Sequence, residues 1–537
     1  MDPHIHIPAD RASDAQTLVS AFDRASAEHA RGTALVDGAV RLSYADLNHK
    51  SRAMARGLLN HGIMPGDSLL VHLPNSWELV VVVLACMRAG VVPTMMLHAH
   101  REHELTRIAD HVDARGIVIS GEADEFVGLA RQVTENCASV EQIFISGCDN
   151  VPPGCIGLEN LMTSDPGAPF YTSVLTDDVL FLLSGGTTGL PKVVARKHSD
   201  YLYGVVSSSL VTDISSDTVY LVSLPASHTF PLGCPGIFGT LLVGGRVVMI
   251  RSPRPEIAFE AMACEGVTHT AAVPAVVGRW LETYDPARWD LSALHVLQVG
   301  GSRLSANHAR RAESTFGCAV QQVYGMSEGM LNSTRLNDPE DVVLETQGRP
   351  VDSAQQMKIV DSAGRDLPFG STGELLVRGP GVFSGYYRAP DHNSEAFTSD
   401  GWFRTGDLVR MHPSGNLVVE GRVKDLINRG GEKISAEELE DLLNEMPEIR
   451  RVAVVAAPHS SLGEQVCTCI VLRAGCVVTL QEIRLFLSGL GVAQYKLPSR
   501  LEILDDLPQT SIGKINKAAL RSLVADKTLT PAPAPAS

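Results

Sequence analysis

The stretch VLQVGGSRLSANHARRAESTFGCAVQQVYGMSE, from Val296 to Glu328, decides the fold. Val296–Val299 is a run with β-branched residues at both ends and reads as a strand. Ser305 can cap a helix that ends near Phe316, with Gly317 as its C-terminal stop. Cys318–Tyr324 then reads as the next strand. The two strands deliver GGS (Gly300–Ser302) and YGMSE (Tyr324–Glu328) from their C-terminal ends. In open α/β sheets that edge is where ligands bind.

Strand-like and helix-like segments alternate in the same way through roughly residue 420, which predicts an α/β architecture. A smaller α+β unit is expected from about Lys424 onward, after the charged joint GNLVVEGRVKD. Ser435 and Glu438 form a capping-box pattern ahead of a helix over Glu437–Asn444, and Thr479 and Glu482 repeat it. Strands are expected at Val452–Ala456, Val466–Leu472 and Arg500–Leu504. The expected domains are 1–422 as the large core and 423–524 as the small unit. Residues 525–537, ending in PAPAPAS, cannot build a core and are expected to be a disordered tail.

Bulk numbers narrow the classes. A chain of 537 residues is too long for one hydrophobic core. Hydrophobic content of 44% with 20% charged residues fits a soluble globular protein. A formal net charge of −16 argues against a general nucleic-acid binder. Ten cysteines are scattered without a C-x-x-C pair, so reduced thiols in a cytoplasmic protein are the simplest account. Cys467 and Cys469 read as one face of a strand. The apolar segment Leu79–Met87 is too short to cross a bilayer, and the N-terminal residues do not read as a signal peptide.

A second stretch bears on chemistry: LLSGGTTGLPK, from Leu182 to Lys192. A Walker A loop requires lysine directly after its last glycine. Here Leu190 and Pro191 intervene, and no Ser or Thr follows Lys192. The loop still suits phosphate. Ser184, Thr187 and Thr188 offer hydroxyls, Gly185, Gly186 and Gly189 let the backbone approach an anion, and Lys192 adds a point charge.

Six motifs follow one another along the chain: SGGTTGLPK at Ser184, LPASH at Leu224, YGMSEG at Tyr324, GWFRTGDL at Gly401, GRVKDLINRGGEKI at Gly421 and LPQTSIGKINK at Leu507. In this order they resemble the adenylate-forming superfamily of acyl-CoA synthetases, luciferases and nonribosomal-peptide adenylation domains. The text is most similar to free-standing aryl-acid adenylating enzymes, which also carry a TRL-x-DP run, here Thr334–Pro339. The resemblance implies a large N-terminal α/β domain with several sheets and a small, mobile α+β C-terminal domain. It also implies ATP and Mg²⁺ as cofactors. A carboxylate attacks the α-phosphorus and pyrophosphate leaves, so catalysis is mainly positioning and charge stabilisation.

By the same resemblance, Ser184 to Gly189 and Lys192 hold ATP phosphates. Gly301, Ser302, Val323, Tyr324 and Gly325 surround the nucleotide, with Tyr324 flanking adenine. Asp407 takes the ribose hydroxyls, and Arg422 contacts ribose or phosphate. Glu328 is the Mg²⁺ ligand, directly or through water. Lys514 is the lysine that neutralises the acyl-phosphate oxygens during adenylation. Lys424 is the hinge about which the small domain rotates, after which Gly430, Gly431 and Lys433 line the path of a pantetheine thiol.

His228 gates the carboxylate pocket in this reading, and HTFPLGCPG (His228–Gly236) reads the acid. The expected pocket is His228, Thr229, Phe230, Cys234, Gly300, Gly325, Met326 and Leu331. Dihydroxybenzoate enzymes resemble H-N-Y-x-x-S-S-P-G. Phe230 and Cys234 depart from that pattern toward salicylate enzymes, so an acid lacking a 3-hydroxyl is expected; a thiol is a weak hydrogen-bond partner. Thr229 replaces the family Asn, which leaves anthranilate, hydroxypicolinate, quinoline and naphthoate acids open beside salicylate. The acceptor is expected to be a phosphopantetheinylated aryl carrier protein, with free CoA as the alternative. Arg422, Lys424, Arg429, Lys433, Arg450 and Arg451 could furnish a local basic face for a carrier. No nucleic acid or membrane partner is expected. A non-catalytic ATP-binding regulator fits poorly with Lys514, Glu328 and Asp407 all in place.

Overall fold

The computed structural model describes residues 16–148, 150–162, 171–184, 191–429, 432–459, 462–490, 492, 494–510 and 514–529. The chain divides into two compact units. One holds the described residues of Met1–Gly186, Leu190–Gln356 and Val377–Phe403, and the other holds Met357–Leu376 and the described residues of Arg404–Ser537. The second unit therefore takes in chain upstream of the expected boundary at 422.

Among the described residues, the first unit is built on a nine-stranded and a seven-stranded sheet. Strand Val296–Gly300 lies in the larger sheet. Ser305 accepts from the backbone of His308 at 3.3 Å and starts helix Ala306–Phe316, and Gly317 ends it with φ 68°. Only a residue at ease in the left-handed region ends a helix so cheaply. The next strand is Ala319–Gly325, one residue later than expected, and it runs parallel to the first with Gly300 opposite Val323. The helix buries Ala309, Ala312 and Phe316 in a core with Phe259, Trp280 and Trp289. Fully burying a side chain such as Phe259 contributes about 1.5–3 kcal/mol.

The seven-stranded sheet is flanked by helix Trp77–Ala89, capped by Ser76 and stopped by Gly90 at φ 68°. Its run of apolar residues is buried on every side, as an all-round hydrophobic helix must be. Arg88 at its end is also buried, in a pair with Asp23 at 2.6 Å. No described helix is long and apolar enough to cross a membrane.

The second unit holds most of a four-stranded sheet (Gln356–Val360, Gly373–Arg378, Phe403–Met411, Leu417–Arg422) and a five-stranded sheet. In the latter, strands Ile449–His459 and Gly463–Leu472 are longer than the sequence predicted. Their side chains alternate between two cores. Val452, Val454, Val466 and Ile470 meet Leu439, Leu443, Ile483 and Leu487. Ala453, Val455, Cys467 and Cys469 meet Leu507, Leu520 and Val524. The two cysteines thus share one buried strand face, as the period of two requires. The helices Ala436–Leu443 and Leu480–Gly489 start at Ser435 and Thr479, and the second carries the full capping box. The last helix, Lys517–Leu529, continues past residue 525, where tail was expected. Leu520 and Val524, buried just before it, anchor the helix that runs on into this segment. Residues 530–537 of the expected tail lie outside the described residues.

Candidate active site

The site grows from the C-terminal edge of the nine-stranded sheet. A Cβ on Gly300 would lie 3.0 Å from Phe230 Cε1 and 3.1 Å from its Cζ, so the ring closes on glycine backbone. Strand Leu331–Ser333 folds back antiparallel and sets Leu331 opposite Gly325. A Cβ on Gly325 would lie 2.8 Å from Leu331 Cδ1. Phe230, Gly300, Gly325 and Leu331 therefore lie within one edge of the sheet. Gly301 and Ser302 follow as exposed residues, Val323 is buried, and Tyr324 and Met326 are half-buried.

His228 caps the one-turn helix Thr229–Gly233, its Nδ1 accepting from Phe230 N at 3.2 Å. That bond assigns the proton of the neutral ring to Nε2. The turn after the helix demands glycine at 236, where a Cβ would come 2.0 Å from Pro231 O at φ 54°. Thr229 Oγ1 and Cys234 Sγ face each other at 4.0 Å. Burial pushes the Cys234 thiol up to about 11, so it remains a protonated, weakly bonding group.

The base of the expected phosphate loop is tied more tightly. Strands Asp178–Leu183 and Val193–Lys197 pair antiparallel, and Ser184 and Lys192 close the loop base between them. Ser184 N donates to Lys192 O at 2.9 Å, and Lys192 N donates to Ser184 Oγ at 3.2 Å. Gly185, Gly186, Thr187, Thr188 and Gly189 lie outside the described residues. Lys192 Nζ stands 4.7 Å from the ring centroid of Tyr386, a cation–π distance. Tyr386 in turn donates from Oη to Glu328 Oε1 at 2.9 Å. Glu328 is 9% exposed. The loop base and the glutamate, far apart in sequence, are thus joined through one tyrosine.

Sequence reasoning missed Tyr386 and also Arg196. Arg196 is buried, and its guanidinium donates to Asp200 Oδ1 at 2.6 Å, Ser327 O at 2.8 Å and Gly381 O at 3.0 Å. It therefore clamps the turn that carries Glu328. The turn needs Gly329, since a Cβ there would reach 1.8 Å from Gly381 O. The legible signal was an opposite-charge pair four residues apart, in RKHSD, inside an otherwise apolar region. Burial raises the Asp200 pKa and the Arg196 charge opposes that shift.

In the second unit, antiparallel pairing sets Asp407 opposite Arg422. Arg422 Nε donates to Asp407 Oδ1 at 2.5 Å. Lys514 is exposed as a whole residue, but its ammonium is crowded by neighbouring groups. Its pKa moves downward from the ordinary lysine value, by burial first and then by repulsion from Arg422, with Asp407 opposing. These three expected residues share one electrostatic neighbourhood. Lys424 lies in the short 3-10 turn Val423–Asp425, and Lys433 in strand Glu432–Ser435. Gly430 and Gly431 lie outside the described residues. Of the expected basic face, Arg429 donates to Tyr495 O and Arg451 to Asp506, so part of it also serves the fold.

Residues 22–387 match the model of the AMP-binding enzyme family, and residues 438–514 match that of the AMP-binding enzyme C-terminal domain. The chain belongs to the AMP-binding enzymes. It is an adenylate-forming ligase of the aryl-acid-activating kind, as its six ordered motifs implied. It is 48% identical over 509 residues to a salicylyl-CoA synthase / salicylate adenylyltransferase of a Streptomyces species, covering 92% of this chain and 91% of that one. It is 45% identical to a 2-hydroxy-7-methoxy-5-methyl-1-naphthoate–CoA ligase of Streptomyces carzinostaticus, covering 91% and 89%. Among solved structures, the apo structure of Mycobacterium smegmatis MbtA aligns with a TM-score of 0.74 at 38% identity, over 96% of each chain.

Proposed function

We propose that this enzyme converts a salicylate-like aryl acid and ATP to aryl-AMP and pyrophosphate, then passes the aryl group to the phosphopantetheine thiol of a carrier protein. The observation that carries this reading is the joining of the loop base to Glu328 through Tyr386, beside the sheet edge where Phe230 closes on Gly300.

In the first half-reaction the acid's carboxylate oxygen bonds to the α-phosphorus, and the bond to the pyrophosphate oxygen breaks. Lys192 and the loop hold the departing phosphates. Lys514 neutralises charge on the carboxylate and α-phosphate, and Asp407 with Arg422 holds the ribose. Glu328 offers a single hard carboxylate, with no cluster of three metal-ligating side chains among the described residues. That donor set fits Mg²⁺, which favours one or two carboxylates plus substrate phosphates over an all-protein cage. When bound there, Mg²⁺ would neutralise phosphate charge. In the second half-reaction the thiol sulfur attacks the acyl carbon and AMP leaves, with rotation about Lys424 bringing the Gly430–Lys433 face into play.

Acid-dependent ATP–pyrophosphate exchange across a panel of aryl acids tests the first step. Exchange with fatty or amino acids but no aryl acid would sink the reading. Free CoA is the second acceptor to consider, favoured by the two CoA-using relatives. Comparing aryl transfer to CoA and to a phosphopantetheinylated aryl carrier protein separates the two.

A further inference from the structure

Behind the acid-reading helix stands a tyrosine whose hydroxyl nothing in the family motifs explains. Tyr201 lies on helix His198–Val211 and is 2% exposed. Its ring is fixed on two sides. The Arg196 guanidinium lies 5.2 Å from the centroid, and Phe238 packs edge-on at 6.3 Å and 85°. The hydroxyl is thereby aimed at the short helix Thr229–Gly233, where a Cβ on Gly233 would sit 2.5 Å from Tyr201 Oη. Position 233 must be glycine for this approach.

The Tyr201 hydroxyl has no hydrogen-bond partner among the described residues, and neither has that of Tyr220, which is fully buried. Burial holds both phenols above their usual range, with Cys234 adding to it. Both are therefore O–H donors at neutral pH. Thr229 stands one helical turn before Gly233 on the same short helix, so it shares the face that the Tyr201 hydroxyl approaches, and its own contact to Cys234 is long at 4.0 Å. A buried donor left unmet is costly, so a shift that joins Tyr201 to Thr229 is favoured.

We propose that Tyr201 is a positioning residue for acid selection: its hydroxyl donates to Thr229, which turns the Thr229 proton toward an acceptor on the acid. This rests on the aryl-acid reading above. Threonine has one proton to give, and a donor arriving at its oxygen commits that proton outward. The acid so favoured carries an acceptor beside its carboxylate, either a ring nitrogen or an oxygen substituent. An ortho amine, which offers mainly donors, is disfavoured.

The test is pyrophosphate exchange with picolinate, salicylate, anthranilate and benzoate, for the unmodified enzyme, Tyr201→Phe, Thr229→Val and the double variant. Tyr201→Phe should lower kcat/KM for picolinate and salicylate relative to benzoate by about fivefold. In the Thr229→Val background the same change should leave those ratios alone, because the relay is already cut. Unchanged ratios in Tyr201→Phe overturn the proposal. So does an equal ratio change in both backgrounds, or a uniform loss for all four acids with a lowered Tm, which marks a purely structural tyrosine. If the unmodified enzyme exchanges with no aryl acid, both this proposal and the aryl-acid reading fall, and that result is visible before any variant is made.

Discussion

The two halves of the candidate site are held in different ways. On the phosphate side the clamp's guanidinium and the glutamate are both engaged. Arg196 reaches Asp200, Ser327 and Gly381 at 2.6–3.0 Å, and Glu328 takes the Tyr386 hydroxyl at 2.9 Å. On the acid side, Thr229 and Cys234 meet only at 4.0 Å, and among the described residues the Tyr201 and Tyr220 hydroxyls are unmet. A satisfied low-dielectric network is rigid, and unmet groups await a partner. The difference teaches a division of labour. On the proposed function, the phosphate side serves chemistry common to any acid, and the acid side discriminates. Changes on the first should affect all acids alike, and changes on the second should reorder them.

The largest effect should come from breaking the clamp. Arg196 and Asp200 are 4% and 6% exposed at the side chain. Arg196→Ala leaves the aspartate buried and unpaired, which commonly costs ~3–5 kcal/mol. Chemical denaturation should show that loss, and a destabilisation below ~1 kcal/mol, the surface-pair range, would mean the clamp is slack.

Next comes Lys514→Ala. Adenylation should fall by at least ~100-fold for every acid, the scale of losing one charge-stabilising donor. Transfer from preformed aryl-adenylate to the thiol should be largely spared. Equal loss in both half-reactions would contradict a lysine that acts only in the first. Lys514→Arg should fail too if position matters more than charge.

Smaller effects belong to the acid side. Thr229→Asn should move preference toward salicylate and 2,3-dihydroxybenzoate, because an amide can bridge a carboxylate and a 2-hydroxyl. It should penalise a bulkier acid by ~1–3 kcal/mol through overpacking. Cys234→Ser should help 3-hydroxylated acids by roughly 1 kcal/mol, or about fivefold in relative kcat/KM. If the rank order of acids survives both substitutions, the acid side does not discriminate and the comparison collapses.

Ser184, Lys192 and Glu328 could be singled out because they sit in contiguous motifs. The strand, cap and stop of Val296–Gly325 were legible for the same reason: Ser305 and Gly317 act within one turn of chain. Strand ends were less so. The pairing of Ile449–His459 with Gly463–Leu472 continues past the apolar run, because a neighbouring strand supplies hydrogen bonds whatever the side chains are. Tyr386 was not found, since nothing near it in sequence says what it touches; for Arg196 the pair with Asp200 was legible, but not its reach to Ser327 and Gly381.

By itself, then, the sequence determined the α/β order, the two-part organisation and the adenylate-forming family, all of which rest on local periodicity, caps and short motifs. Only the tertiary structure decided which groups meet. The closure of Phe230 on Gly300 joins residues from different strands and helices. So do the tie from Lys192 through Tyr386 to Glu328 and the approach of Tyr201 to Gly233. Such contacts depend on how elements distant in the chain pack, and close packing leaves no local trace from which to read them.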